Sequence, residues 1–129
     1  LMSIAAQYAD TLNKTCGMSV IISDRDAIVA CAGVPKKEYT EKKLSDELED
    51  IIDSRALYAQ SGEVRLPAIN DNSSHFISCA MPIISEGDIV GCVASLHSSD
   101  GINTSQLARD VEIKLIQTAA SFLGKQLEA

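Results

Sequence analysis

Apolar side chains recur every four residues between Ser3 and Cys16, at Ile4, Tyr8, Leu12 and Cys16, and the run meets Gly17. This spacing predicts an amphipathic helix ended by a glycine that can take the left-handed conformation. The pattern then changes character. SVIIS at 19–23 and AIVACAG at 27–33 are rich in β-branched and small residues and flank Asp24-Arg25-Asp26, which predicts two strands joined by a tight hairpin. A loop at Pro35-Lys36-Lys37 comes next, after which Leu44, Leu48, Ile51 and Ile52 resume helical spacing behind a candidate cap, Ser45, in a shorter helix ending near Tyr58. Gly62, Pro67 and the polar run from Asn70 to Ser74 predict a short edge strand at Glu63–Leu66 and then a loop. His75–Ile84 and Ile89–Ser98 read as a long hairpin about Ser85-Glu86-Gly87-Asp88.

The segment from Thr104 to Leu127 is the longest periodic stretch. Leu107, Val111, Leu115 and Phe122 form one stripe, and Ile113, Ile116, Ala120, Leu123 and Leu127 form a neighbouring one. Together they span a wider arc than a helix lying on one sheet face needs. A second packing partner is expected, and another copy of the chain supplies it most simply, through Tyr8, Leu12, Leu115, Ile116, Leu123 and Leu127. Burying such side chains is worth roughly 25 cal/mol per Å² of apolar surface. The spacing leaves dimer and tetramer equally open.

The order helix, two strands, helix, three strands, helix gives an α+β fold, a mainly antiparallel five-stranded sheet covered by the terminal helices with one helix between. At 129 residues the chain forms one domain, 1–129. Eighteen acidic against eleven basic side chains give a net charge of −7, a poor match for a phosphate backbone. The pairs Lys36-Lys37 and Lys42-Lys43 are diluted by Glu38, Glu41, Asp46 and Glu47 and read as a solvated surface. No apolar run approaches the ~20 residues of a membrane span, so a soluble, cytoplasmic protein with no membrane partner is expected. Cys16, Cys31, Cys79 and Cys92 show neither CxxC nor zinc-type spacing and read as small buried hydrophobes. No metal, cofactor or catalytic residue is predicted, since HExxH, GxSxG and a phosphate-binding glycine loop are all missing.

Strand geometry suggests where a ligand could sit. With a turn centred on Glu86-Gly87, residues whose numbers sum to about 173 oppose one another. One face then pairs Ile77 with Leu96, Cys79 with Ala94 and Met81 with Cys92, a continuous apolar core. The other pairs Phe76 with His97, Ser78 with Ser95, Ala80 with Val93 and Pro82 with Gly91, and is smaller and more polar. A small-molecule pocket lined by Phe76, Ser78, Ser95 and His97, closed by Tyr58 or Arg55, is one reading. A loop-covered face with satisfied serines is the other. Arg55 could equally complement the helix dipole, and His97 could be an ordinary exposed polar residue.

SVIISDRD at 19–26, GVPKKEY at 33–39, DSR at 53–55, MPIISEGDIVGCV at 81–93 and AASFLGKQLE at 119–128 resemble the C-terminal, GAF-like regulatory domain of the stage V sporulation protein T family of AbrB-type transcription regulators. The resemblance runs nearly end to end. It implies a GAF/PAS-like fold and a regulatory, oligomerising role in sporulation, with DNA bound only through an AbrB-type N-terminal module that these residues do not include. Starting at Leu1, the chain is expected to be an excised regulatory half. GAF domains bind cyclic nucleotides, tetrapyrroles or small metabolites, and some bind nothing. The alternatives are accordingly a pure dimerisation module without ligand or, as a competing class, a small hydrolytic enzyme.

Overall fold

The computed structural model describes residues 2–70, 74–98 and 107–127. In chain order the elements are α1 (Met2–Cys16), β1 (Ser19–Ser23), β2 (Ile28–Ala32), α2 (Lys36–Tyr39), α3 (Asp46–Ser54), β3 (Tyr58–Ala59), β4 (His75–Ser85), β5 (Asp88–Ser98) and α4 (Arg109–Gln126). The five strands form one sheet in the order β2-β1-β5-β4-β3, with every neighbouring pair antiparallel. Helices cover both of its faces: α1 and α4 one, α2 and α3 the other.

Local chemistry fixes most of the joints. The Asp24 carboxylate accepts from the backbone N–H groups of Asp26 (2.7 Å) and Ala27 (2.8 Å), closing the first hairpin. Glu86 and Gly87 sit at φ 52° and 85°, as a two-residue primed turn between twisted strands requires. Ser45 caps α3: its hydroxyl accepts from Leu48 N–H at 3.1 Å and donates to the Pro67 carbonyl at 2.6 Å.

Several expectations need correction. The edge strand is Tyr58–Ala59, whereas the sequence pattern suggested Glu63–Leu66. Arg55 takes the left-handed conformation and stops α3 at Ser54, so the chain is already extended four residues later. The Pro35-Lys36-Lys37 loop contains one helical turn, α2, which places Tyr39 fully inside the core. Thr104 lies outside the described residues, and the last helix begins at Arg109, later than the spacing suggested, after Leu107 and an extended Ala108.

The pairing of β4 with β5 follows the expected register at both ends and departs from it in the middle. Phe76 opposes His97 and Ile77 opposes Leu96, but then Cys79 opposes Ser95, Ala80 opposes Ala94 and Pro82 opposes Cys92. Ser78 is an extra residue in β4 and Val90 a compensating extra residue in β5, two β-bulges that shift and then restore the alignment. A one-residue slip exchanges the faces. Ile77, Ala80, Cys92, Ala94 and Leu96 consequently join Leu44, Leu48 and Ile52 beneath α3, while Cys79, Ile83 and Val93 join Ile116, Ala119 and Leu123 beneath α4. Both faces are core, in place of one apolar face and one polar face.

The helix α4 lies very close to the sheet at one point. A Cβ on Gly124 would collide with the Ile84 carbonyl oxygen, so only glycine permits this approach.

Candidate functional site

Two features of the α1/α4 layer stand out, a polar cluster beneath the start of α4 and an apolar groove on the outside.

The polar cluster forms around the Ser78 bulge. Because Ser78 interrupts the ladder, the Cys79 N–H donates to the Ser95 hydroxyl at 3.1 Å, and that hydroxyl in turn donates to the Glu112 carboxylate at 2.6 Å. Arg109, in the first turn of α4, donates through Nη1 to the Ser78 hydroxyl (2.7 Å). Through Nη2 it donates to the Ser78 carbonyl (3.2 Å) and to the carbonyl of Gln60 just beyond β3 (2.5 Å). Its Nη1 also lies 3.4 Å from Glu112. The Glu112 side chain is only 12% exposed, and the guanidinium beside it supplies the countercharge that burial demands. Burial pushes the Cys79 thiol above its ordinary pKa, and the Glu112 carboxylate adds to the effect.

Phe76 and His97, also on this face, stack across the strands with ring centres 6.2 Å apart, and the Arg65 guanidinium lies 5.8 Å over Phe76. The His97 Nδ1 reaches the Ser98 carbonyl at 3.3 Å, while its buried Nε2 has no hydrogen-bond partner. His97 is thus half-buried, contrary to the reading of an exposed strand-end histidine.

Of the six side chains expected to line a pocket, Phe76, Ser78, Ser95 and His97 share one face, Arg55 does not join them, and Tyr58 meets them only through the charge of Arg109, which acts on its hydroxyl. The exposed Arg55 donates to the Gly87 carbonyl at 3.0 Å, at the opposite end of β4 from Phe76. Tyr58 pairs with Ala80 and packs against the α3 side of the sheet. Its hydroxyl is buried without a hydrogen-bond partner, within electrostatic reach of Arg109 and Cys79, and the residue also helps to wall a cleft of about 420 Å³ with Asp50, Ile51, Leu57 and Leu66. The expected pocket therefore does not assemble as a unit. Its two serines are occupied by α4, through Arg109 and Glu112, which sequence reasoning missed. The signal available was a pair of opposite charges three residues apart at a helix start, facing serines on a neighbouring strand.

The outer groove is built by α1 and α4. Tyr8 packs against Phe122 with ring centres 5.5 Å apart, and Ile4, Leu12, Cys16 and Leu115 complete a depression of about 470 Å³. Ile4, Val111, Phe122 and Leu127 are exposed, Phe122 to 41%. Three of the six residues expected at a subunit contact are corrected here. Leu12, Ile116 and Leu123 are buried inside the protomer at 5%, 0% and 0% exposure, because the second stripe of α4 is consumed by the sheet. Tyr8, Leu115 and Leu127 remain accessible to some degree, and Phe122 and Val111 extend that surface.

All four cysteines are free. Cys92 is completely buried beside the Ser23 hydroxyl, and burial pushes its thiol up to about 12. Among the described residues no group of three or more His, Cys, Asp or Glu side chains could hold a metal ion, and no helix is long and apolar enough to cross a membrane.

Comparison with known proteins places this architecture. The chain superposes on the GAF domain of A. aeolicus nlh2 in an inactive state with a TM-score of 0.70 at 12% identity, covering 97% of this chain and 83% of that one. It superposes on the cofactor-binding GAF domain of the nutrient sensor CodY from Clostridium difficile with a TM-score of 0.63 at 18% identity, covering 95% and 83%. The fold is therefore that of a GAF domain. In sequence the chain is 36% identical over 132 residues to stage V sporulation protein T of Bacillus subtilis (strain 168), covering 99% of this chain and 69% of that protein. Residues 1–128 match the family model described as stage V sporulation protein T C-terminal, transcription factor, and to that family the chain belongs.

Proposed function

We propose that this GAF domain regulates a sporulation transcription factor by self-association through the outer face of α1 and α4, which sets the spacing of DNA-binding modules carried elsewhere in the regulator. The observation that carries this reading is the groove of Tyr8, Leu115 and Phe122, left open although the protomer's own core beneath it is complete. An acidic chain has no electrostatic footing on DNA, in keeping with a division of labour between modules. The role is non-catalytic, in keeping with the two buried serines, whose hydroxyls are engaged by hydrogen bonds with Glu112, Arg109 and the Cys79 N–H. Sedimentation of wild-type protein and Phe122→Asp tests the proposal. Mass should rise with concentration in the wild type and stay at one protomer in the variant, with both equally folded by circular dichroism. A wild type that remains a single protomer throughout the micromolar range would defeat it.

A second, compatible reading is small-molecule sensing on the other side of the sheet. It is favoured by the open cleft that Tyr58, Ile51 and Leu66 wall beside α3 and by a GAF neighbour described as cofactor-binding. Thermal-shift screening with nucleotides, amino acids and other small metabolites should give stabilisation that is lost in Ile51→Trp. No shift with any compound would leave assembly as the whole function.

A further inference from the structure

We propose that Arg109 is a clasp that makes the order of the edge strand β3 and the 60–66 loop depend on how firmly α4 is seated. As far as assembly on α4 is concerned, the inference rests on the self-association reading above.

The geometry is specific. Strand β3 contains only two residues and lies at the edge of the sheet, held by its pairing with Ala80 and Cys79 and by the Gln60 N–H donating to the Ser78 carbonyl at 2.8 Å. Such a short edge strand belongs to the least stable part of a fold. Gln60 also organises the loop after β3, because its side-chain amide donates to the carbonyls of Gly62 (2.6 Å) and Val64 (3.2 Å). Arg109 reaches across the bulge in β4 and bonds the Gln60 carbonyl, joining α4 directly to this peripheral unit. The same guanidinium holds Ser78, the residue that creates the bulge.

The helix end depends on this contact in turn. Residue Ala108, at the cap position, offers no side-chain oxygen, so among the described residues the first turn of α4 has no side-chain cap at that position. Arg109 and Glu112 anchor that turn to the sheet instead, through Ser78 and Ser95. Helix start and edge strand therefore share one set of hydrogen bonds. Loosening either loosens the other, and linkage makes the effect reciprocal. Binding a second copy on the outside of α4 would then firm up β3 and the loop on the far side of β4.

Hydrogen exchange of segment 57–66 in the whole chain tests this, at concentrations below and above the assembly midpoint found by sedimentation. In wild type, protection of the segment should rise roughly five-fold or more on assembly. In Arg109→Met it should be lower at both concentrations and show no rise. Arg109→Lys, which keeps the charge but loses the fork, should recover only part of the rise. A rise in Arg109→Met equal to that in wild type, or a flat wild-type response across an assembly that sedimentation records, overturns the clasp. If the chain never assembles, the self-association reading falls alone, and the clasp is decided at low concentration. There Arg109→Met must speed exchange in both 57–66 and the α4 amides from Glu112 onward, the first to be hydrogen-bonded within the helix, with β1 and β2 unaffected, and unchanged exchange in either segment refutes it.

Discussion

The two helical layers of this domain cover the same sheet but finish differently. On the α2/α3 side, Tyr39, Leu44, Leu48 and Ile52 point inward and are at most 2% exposed, while the outward positions of α3 carry Asp46, Glu49, Asp50 and Asp53. On the α1/α4 side the inward positions are sealed as well, by Ala5, Ala9, Ile116, Ala119 and Leu123. The outward positions, however, include Ile4, Val111, Phe122 and Leu127. One layer ends in charge, whereas the other mixes exposed hydrocarbon with polar side chains such as Gln7, Lys14, Lys114 and Gln117. The contrast teaches that apolar surface left over after a full core has formed is better evidence for a partner than the total apolar content of a helix.

The largest expected effect that tests this contrast is on stability. Leu48→Ala should cost about 2–5 kcal/mol in denaturant unfolding, because it opens a cavity in a fully packed layer, and should leave the association state of the folded fraction unchanged. Phe122→Asp should do the converse, costing only about 0.5–1.5 kcal/mol through the lost ring contact with Tyr8 while abolishing the concentration-dependent rise in mass. If Leu48→Ala disrupted association as strongly as Phe122→Asp, the two layers would not be functionally distinct.

A smaller effect is expected at alkaline pH, and it belongs mainly to the α2/α3 side, where Tyr39 and Cys92 are both buried. Burial holds each of them at about 12, against ordinary values of 10.0 and 9.0. The unfolded chain loses these protons first, so the native state binds more protons between the two limits and stability falls as pH rises from about 9 to about 12. Below about pH 8 neither group contributes an appreciable slope, because both are protonated in the folded and the unfolded chain. Tyr39→Phe combined with Cys92→Ala should flatten the alkaline limb of the unfolding curve. An unchanged slope would show that other groups control it.

Much of the fold was legible because local rules and tertiary packing agree. The four-residue spacing of α1, the Asp24 turn, the Glu86-Gly87 turn and the Ser45 cap each depend on a few neighbouring residues, and each is found where the pattern put it. The candidate site was less legible, and the reason is physical. Face assignment along β4 and β5 assumes strict alternation, and one extra residue at Ser78 reverses it for the next five positions without any glycine or proline to mark the change. Ser78 is expected opposite Ser95, but the bulge sets Cys79 there instead, and both hydroxyls find their partners on α4, more than a dozen residues further along the chain. On α4 itself both apolar stripes were visible. Only contact with the sheet shows that Ile116 and Leu123 are spent internally while Phe122 is left outside.

Gly124 has a bearing on all of this that reaches past packing. Since an α-helix advances about 100° per residue, rolling α4 by one position would bring a carbon-bearing residue against the Ile84 carbonyl and drive the helix off the sheet. The azimuth of α4 is thereby keyed to a single hydrogen atom. Whatever docks on its outer side meets a fixed bearing, because rotation about the helix axis is blocked at that point.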